Sequence, residues 1–334
     1  MKKRLSGYDS NKRYFWSPAF DCVNDDDHLR IGAFDFGGDA GGIFPELYYI
    51  TQRGATPCEM MQRFTSVDPG KLEKLIKELV QKRVLVSSIL SPSEIFEVQS
   101  RMFKNEYDEE TFLNPARLEE YRRKQLNRRP NLNETGKILL EQKEAYPELI
   151  SQRRTYRTFD TDHRISMKTL SQLMSVFRQV CSEGEIRYYY ASAGGLYPVD
   201  IYVYAKDNRV ESVQGGLYYY SPIDNSLVLA NSSCVITEAA HLFTNKDIFR
   251  SSALSLFFIY NADVSMPKYG GMAYFYACID TGLMVGALTA VAELNDIGIC
   301  SVGSMEFDRI KKYFHLNENQ TLLHTVEAGL KPKI

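Results

Sequence analysis

From Val199 to Ala205, apolar Val199, Ile201 and Val203 alternate with Asp200, Tyr202 and Tyr204, and this period of two predicts a half-buried strand. The run "ALSLFFIYNA" is apolar without alternation, as a central strand buried on both faces should be. Between them, "GGLYYYSPIDNSLVLA" reads as a hairpin. The stretch "MAYFYACIDTGLMVGALTAVAEL" is apolar on nearly every face, so it predicts a core helix, and Asp280 inside that wall requires a partner. Leu170, Leu173, Met174 and Phe177 share one face of a helix that Ser166 can cap. From about residue 147 to 334 this order predicts an α+β domain, a mainly antiparallel sheet flanked by helices.

The front of the chain has a different rhythm. Thr56 with Pro57, and Asp68 with Pro69, each pair an N-cap with proline at the first helical position. In the second of these helices Leu72, Leu75, Ile76, Leu79 and Val80 make one stripe, and β-branched "RVLVSS" follows as a strand. Helix, turn, helix and strand give residues 1–95 a winged-helix-like outline. DNA recognition is disfavoured, because the second helix mixes Glu73 and Glu78 with its lysines and carries no base-reading set. Residues 96–146 are strongly charged, with weak helical periodicity and Pro130 as a break, and read as a partly helical linker.

Composition narrows the class. The 334 residues are 44% hydrophobic and 25% charged with a net charge of −2, so a sizeable core is available and no global basic field recruits nucleic acid or an anionic membrane. Six cysteines, at 22, 58, 181, 234, 278 and 300, form no CxxC and flank no histidine pair; they read as core thiols, with no metal site and no disulfide framework. With no apolar signal region and no run of ~18 apolar residues, the expectation is a cytoplasmic protein without a membrane span.

Three local features carry candidate chemistry. "RRTYRTFD" sets Arg153, Arg154 and Arg157 around Thr155, a group able to grip a phosphate, although arginine clusters are commonly solvated faces. "ASAGGLYP" places tiny residues before the first strand of the domain, either a plain turn or a backbone brought flat against a planar ligand. "MPKYGG" sets Lys268 beside Tyr269, a surface dipeptide or a general base whose burial tunes the amine. In "NDIGICSVGS" a helix should end near Gly298, and Gly303 leaves a backbone amide open.

In this order the parts resemble the SagB-type dehydrogenases, the nitroreductase-like, FMN-dependent azoline oxidases of thiazole/oxazole-modified peptide pathways. The resemblance covers residues 147–334. It implies that Arg153, Arg154, Thr155 and Arg157 hold the FMN phosphate and ribityl chain. Ser192, Ala193 and Gly195 would reach FMN bound by the other subunit of a homodimer, Asn245 would lie near the flavin ring, and Val302 with Gly303 would lie under it. Lys268 and Tyr269 match the proposed catalytic pair, one of which takes a proton from the azoline while flavin N5 accepts a hydride. Thr155 stands where the family commonly has serine, and Ala191 where it has proline. The implied partners are an azoline-containing peptide, a second copy of the chain and a cyclodehydratase. The front domain would clamp the substrate's leader by strand addition, with Leu85 on the docking strand, or serve a structural or partner-docking role, in either case with no part in the chemistry. Two alternatives stay open: a generic NAD(P)H-dependent nitro or quinone reductase, and a flavin-free scaffold subunit.

Overall fold

The computed structural model describes residues 8–25, 28–37, 40–102, 110–128, 138, 140, 146–243 and 245–333. At the front, β1 (Phe15–Trp16) is followed by a meander of β2 (Cys22–Asp25), β3 (His28–Ile31) and β4 (Phe34–Phe36). Helices α1 (Ala40–Thr51), α2 (Pro57–Arg63) and α3 (Pro69–Gln81) come next, then β5 (Leu85–Val86). Both foreseen caps are present: the Thr56 hydroxyl accepts from Glu59 N while Glu59 answers the Thr56 backbone, and Asp68 accepts from Lys71 N. Leu72, Ile76, Leu79 and Val80 are buried in a cluster that runs from Tyr14 to Leu85.

The meander and α1 had not been foreseen from the sequence. The strand after α3 is also shorter than expected: Leu85 and Val86 are both buried and pair with Trp16 and Phe15. Leu85 is therefore a core residue. The charged region is partly helical where described, with α4 (Pro92–Met102), α5 (Glu110–Leu113) and α6 (Pro115–Leu126); Pro130 lies outside the described residues.

After α7 (Glu148–Ser151), α8 (Met167–Met174) starts at the Ser166 cap, whose hydroxyl accepts from Thr169 N. A small hairpin, β6 (Val180–Ser182) and β7 (Glu185–Arg187), precedes the main sheet. That sheet holds β8 (Val199–Ala205), β9 (Gly216–Ser221), β10 (Ser226–Asn231), β11 (Leu254–Asn261), β12 (Ile297–Val302) and β13 (Gln320–Leu330). Every pair is antiparallel and the order is β10-β9-β8-β11-β13-β12. β11 lies inside it with seven of its eight residues buried, as its unbroken apolar run requires. Along β8, Val199, Ile201 and Val203 face one core, while Tyr204 joins a second on the opposite face. The sheet is thus covered on both sides. Helix α9 (Asn245–Ser251) precedes β11, and α10 (Ala262–Tyr269) and α11 (Met272–Leu294) follow it.

Helix α11 differs from the fully buried helix that its composition predicted. Ala273, Ala277, Asp280, Thr281, Met284, Leu288 and Ala292 are buried, but Met272, Phe275, Ile279 and Leu283 are 53, 56, 46 and 45% exposed. The apolar faces are two, and only one meets the sheet. Among the described residues it is the one helix long and apolar enough to cross a membrane, yet its inner face is used by a protein core. The helix ends at Leu294, and Gly298 lies inside β12. Two of the expected core thiols, Cys58 and Cys181, are exposed.

Candidate functional site

The predicted residues gather into two groups on one chain. The first surrounds the end of β12. Arg153, Arg154, Thr155 and Arg157 are all exposed, on a loop whose Tyr156 and Phe159 are buried. A pair of glycines explains why that loop is held: Gly298 and Gly329 face each other across β12 and β13. A Cβ at Gly298 would come within 2.7 Å of the Tyr156 ring, and one at Gly329 within 2.8 Å of Phe159. The two rings lie in slots that only glycine leaves open, and Tyr156 N donates to Ile299 O at 3.1 Å. Arg154 covers the Tyr156 ring at 4.8 Å. Among the described residues none of the three guanidiniums has an ion-pair partner.

Val302 and Gly303 close this group. Burial pushes the neighbouring Cys300 thiol up, and the Arg157 guanidinium works against that shift, which places the arginine beside β12. In front of Gly303 there is open space where a Cβ would stand. Asn245, the first residue of α9, reaches Ser304 O through Nδ2 at 3.4 Å, so it stands next to the same bed. Behind the bed, Glu306 N donates to Ala240 O at 2.9 Å, and His241 bridges Met305. His241 is stacked on Phe249 and its Nε2 lies 3.8 Å from Glu327 Oε1, both side chains fully buried. Burial pulls His241 down to about 4 and pushes Glu327 up to about 7, so in each case the neutral form is favoured. Ser252 and Ser255 hydroxyls donate to Glu327 Oε2 at 2.6 and 2.9 Å. Lys206, half-buried with its Nζ donating to Ser252 Oγ at 3.1 Å, is pulled down to about 8 by its burial. Nothing in the sequence joined positions 206, 241 and 327; the sheet does.

The second group surrounds the start of α11. Asp280 has the partner that its burial demanded: the Ser192 hydroxyl donates to it at 2.5 Å and Ala193 N at 3.2 Å. Ser192 Oγ in turn accepts from Tyr197 N at 3.0 Å. Gly194 and Gly195 both have positive φ, 64° and 65°, and a Cβ at Gly194 would strike the Tyr269 hydroxyl and approach Lys268 Nζ to 2.7 Å. Gly195 faces open space. The small residues are thus needed twice, for backbone conformation and because Lys268 and Tyr269 lie directly against the loop. Both come from the last turn of α10, which Gly270 ends with φ 57°. Lys268 is exposed, so the burial expected of it is not found; Lys206, by contrast, is half-buried. Gly194 and Asp280 are the site residues that the sequence motifs had not assigned.

Between these groups stand β11 and β13. From β8 to β12 there are three strand spacings, roughly 14 Å. One group offers exposed cations and a bare backbone bed; the other offers an amine, a phenol and a pinned loop.

Comparison with known proteins identifies the family. The nitroreductase family model matches residues 150–329, more than half of the chain. The chain belongs to the nitroreductase family. Proteins of the nitroreductase family are flavin-dependent oxidoreductases, typically with FMN. The residues present suit that group: Gly195 and Gly303 present uncovered backbone, and the Arg153–Arg157 loop supplies unpaired donors for a phosphate. A solved Escherichia coli microcin synthetase McbBCD complex with truncated pro-MccB17 bound contains a similar chain, at 17% identity and TM-score 0.53, covering 82% of this chain and 98% of that one. A nitroreductase structure from Ralstonia eutropha JMP134 is 17% identical at TM-score 0.45, covering 59% and 89%. At these identities the likeness is one of fold. No curated protein matches the sequence.

Proposed function

We propose that this nitroreductase-family protein is an FMN-dependent azoline dehydrogenase, a cytoplasmic homodimer that oxidises thiazoline or oxazoline rings in a peptide to thiazoles or oxazoles. The observation that carries the reading is the convergence of Lys268 and Tyr269 on Gly194, in the half of the site that lacks the phosphate-binding arginines. Two copies joined through the exposed stripe Met272, Phe275, Ile279 and Leu283 bury ~45–56%-exposed apolar side chains and let the Ser192–Gly195 loop of one copy complete the Arg153–Gly303 half of the other.

When bound, FMN supplies a hydride acceptor at N5. Lys268 or Tyr269 takes the ring proton, so that the azoline loses one proton and one hydride and becomes aromatic; molecular oxygen is the terminal oxidant. Arg153, Arg154, Thr155 and Arg157 would hold the phosphate, and Val302, Gly303 and Asn245 would lie against the flavin ring. Asp280 keeps the glycine loop at its height. The peptide bound in the E. coli synthetase complex supports a peptide substrate and a modifying partner, here a cyclodehydratase, with residues 1–95 as the recognition element.

Purified protein should be yellow, dimeric by light scattering and loaded with one FMN per chain, and it should remove two daltons from an azoline peptide. Colourless protein releasing no FMN overturns the flavoenzyme reading in favour of a scaffold. Family membership alone equally allows an NAD(P)H-dependent nitro or quinone reductase; rapid bleaching by NADPH without azoline oxidation would select it.

A further inference from the structure

A cleft of about 1290 Å³ lies between the front region and the flavin-type domain, and its lining includes Thr321, Leu322, Leu323, His324 and Thr325 in unbroken succession. A strand that presents only one face to a cavity lines it with every second residue. Five in a row means that the cleft runs along the strand's edge. The sheet register explains the opening: β12 pairs with β13 from Leu330 only as far as Thr325, where Val302 is the last partner. On its other side β13 stays paired with β11 as far as Gln320, opposite Asn261, with a bulge at Leu323 between the Phe258–His324 and Ile259–Leu322 pairs. Between 321 and 324 one side of the strand therefore has no paired strand among the described residues. Strands offer N–H and C=O groups to both sides, so this edge faces the cleft with free main-chain donors and acceptors.

The opposite wall is built by the front of the chain. Ile89 N donates to Glu318 O at 3.2 Å, and Lys12 pairs with Glu318, which anchors the front region at the turn before β13. Phe20, Ala33 and Phe96 face the cleft from this side. Much of the wall charge is internally paired, Arg83 with Glu94 at 2.5 Å and Arg309 with Glu306, so the lining does not select a strongly charged ligand. At its inner end the cleft reaches Val302 and Gly303.

We propose that this open edge of β13 is where the peptide substrate binds, as an added antiparallel or parallel strand that takes up the line of β12 and delivers a ring to Gly303. The free edge, roughly 14 Å long, is collinear with the candidate flavin bed, and main-chain pairing explains how one site accepts varied side chains. The occupant rests on the azoline-peptide reading; the edge itself rests on register and cleft geometry. It also moves the docking strand away from Leu85, which is buried and already paired.

The test uses FMN-loaded full-length protein, a glycine- and alanine-rich decapeptide with one central thiazoline, its N-methylated variants at successive amides, and N-acetyl-thiazoline carboxamide as a probe too short to reach the edge. The decapeptide should have a KM at least ~10-fold below that of the short probe. N-methylation should raise KM at every second amide only, and amides within Thr321–His324 should exchange ~10-fold more slowly when the peptide is saturating. Oxidation of both probes with equal KM, a flat N-methyl scan, or unchanged exchange at Thr321–His324 overturns the proposal while leaving the azoline reading intact. If neither probe is oxidised, the azoline reading fails, and hydrogen exchange alone decides the edge: protection at Thr321–His324 supports it, and no protection with millimolar decapeptide overturns it.

Discussion

The two halves of the site are stabilised in opposite ways. Around Asp280 the loop is satisfied from within: a buried carboxylate collects the Ser192 hydroxyl and Ala193 N–H, and Ser192 collects Tyr197 N–H. Around Gly303 the side chains that matter are left open, with Arg153, Arg154 and Arg157 exposed and only the rings between them locked into glycine slots. A group meant to touch ligand keeps its hydrogen-bonding capacity free, whereas a group meant to place backbone uses its capacity internally. Under the proposed function, chemistry belongs to the Lys268–Tyr269 half and binding to the arginine half, and each assignment can be broken separately.

The largest effect belongs to the first half. Lys268→Ala and Tyr269→Phe should stay yellow and dimeric while azole formation, followed by mass, falls by about 10²–10⁴-fold in at least one of them. Wild-type rates in both would remove the pair from the mechanism. In the second half, Arg157→Ala takes away a charge-assisted phosphate contact, which should weaken FMN binding by roughly 10–100-fold in a fluorescence titration. Bound FMN in Arg157→Ala should still oxidise substrate, a separation that the Lys268 and Tyr269 variants reverse.

Gly298→Ala sharpens the contrast without touching a ligand-facing group. Its methyl would meet the Tyr156 ring at 2.7 Å, so the ring must leave its slot, at a cost of about 1–3 kcal/mol in unfolding experiments. The arginine loop should move with it, and FMN affinity should fall while the Ser192–Asp280 contact persists. The smallest effect concerns the buried pair behind Gly303. His241 has a folded value of about 4 against an ordinary 6.5, so as pH falls below 6.5 the unfolded chain takes up a proton that the folded chain refuses until about 4. Stability present at pH 7 is thereby lost on acidification, by up to about 2 kcal/mol at pH 5. Glu327, raised from 4.5 to about 7, acts in the reverse direction, since the folded chain keeps its proton while the unfolded carboxyl ionises. His241→Phe should remove only the first contribution, leaving a protein whose melting temperature drops less between pH 7 and pH 5 than that of the wild type. An unchanged drop would place the titration elsewhere.

Local chemistry was legible along the chain. Thr56, Asp68 and Ser166 cap helices because a short polar side chain beside the first free N–H groups acts within a few residues. β8 and β11 declared themselves by alternation and by its absence, and Asp280 declared its need for a partner by standing in an apolar wall. Other features had no local signature. The short strands of the front meander carry too few residues for a period, and Gly298 looked like a helix end because a glycine's role depends on what packs over it. That α11 leaves one apolar face in solvent depends on which neighbours surround it, and hydrophobicity by itself does not name the neighbour.

In the flavin-type domain, local pattern sufficed for α8, β8, the β9–β10 hairpin, β11 and α11, in that order, because period, caps and turns are set within a helical turn or a strand, whereas β13, the β6–β7 hairpin, α9 and α10 were not foreseen. Only the tertiary structure decided that Gly194 lies against Lys268 and Tyr269, that Gly298 and Gly329 together seat the arginine loop, and that β13 outruns β12 to leave an open edge. These depend on sheet order and register, which bring together residues from 23 to 170 positions apart in the chain, and separations of that size leave no trace in a local pattern.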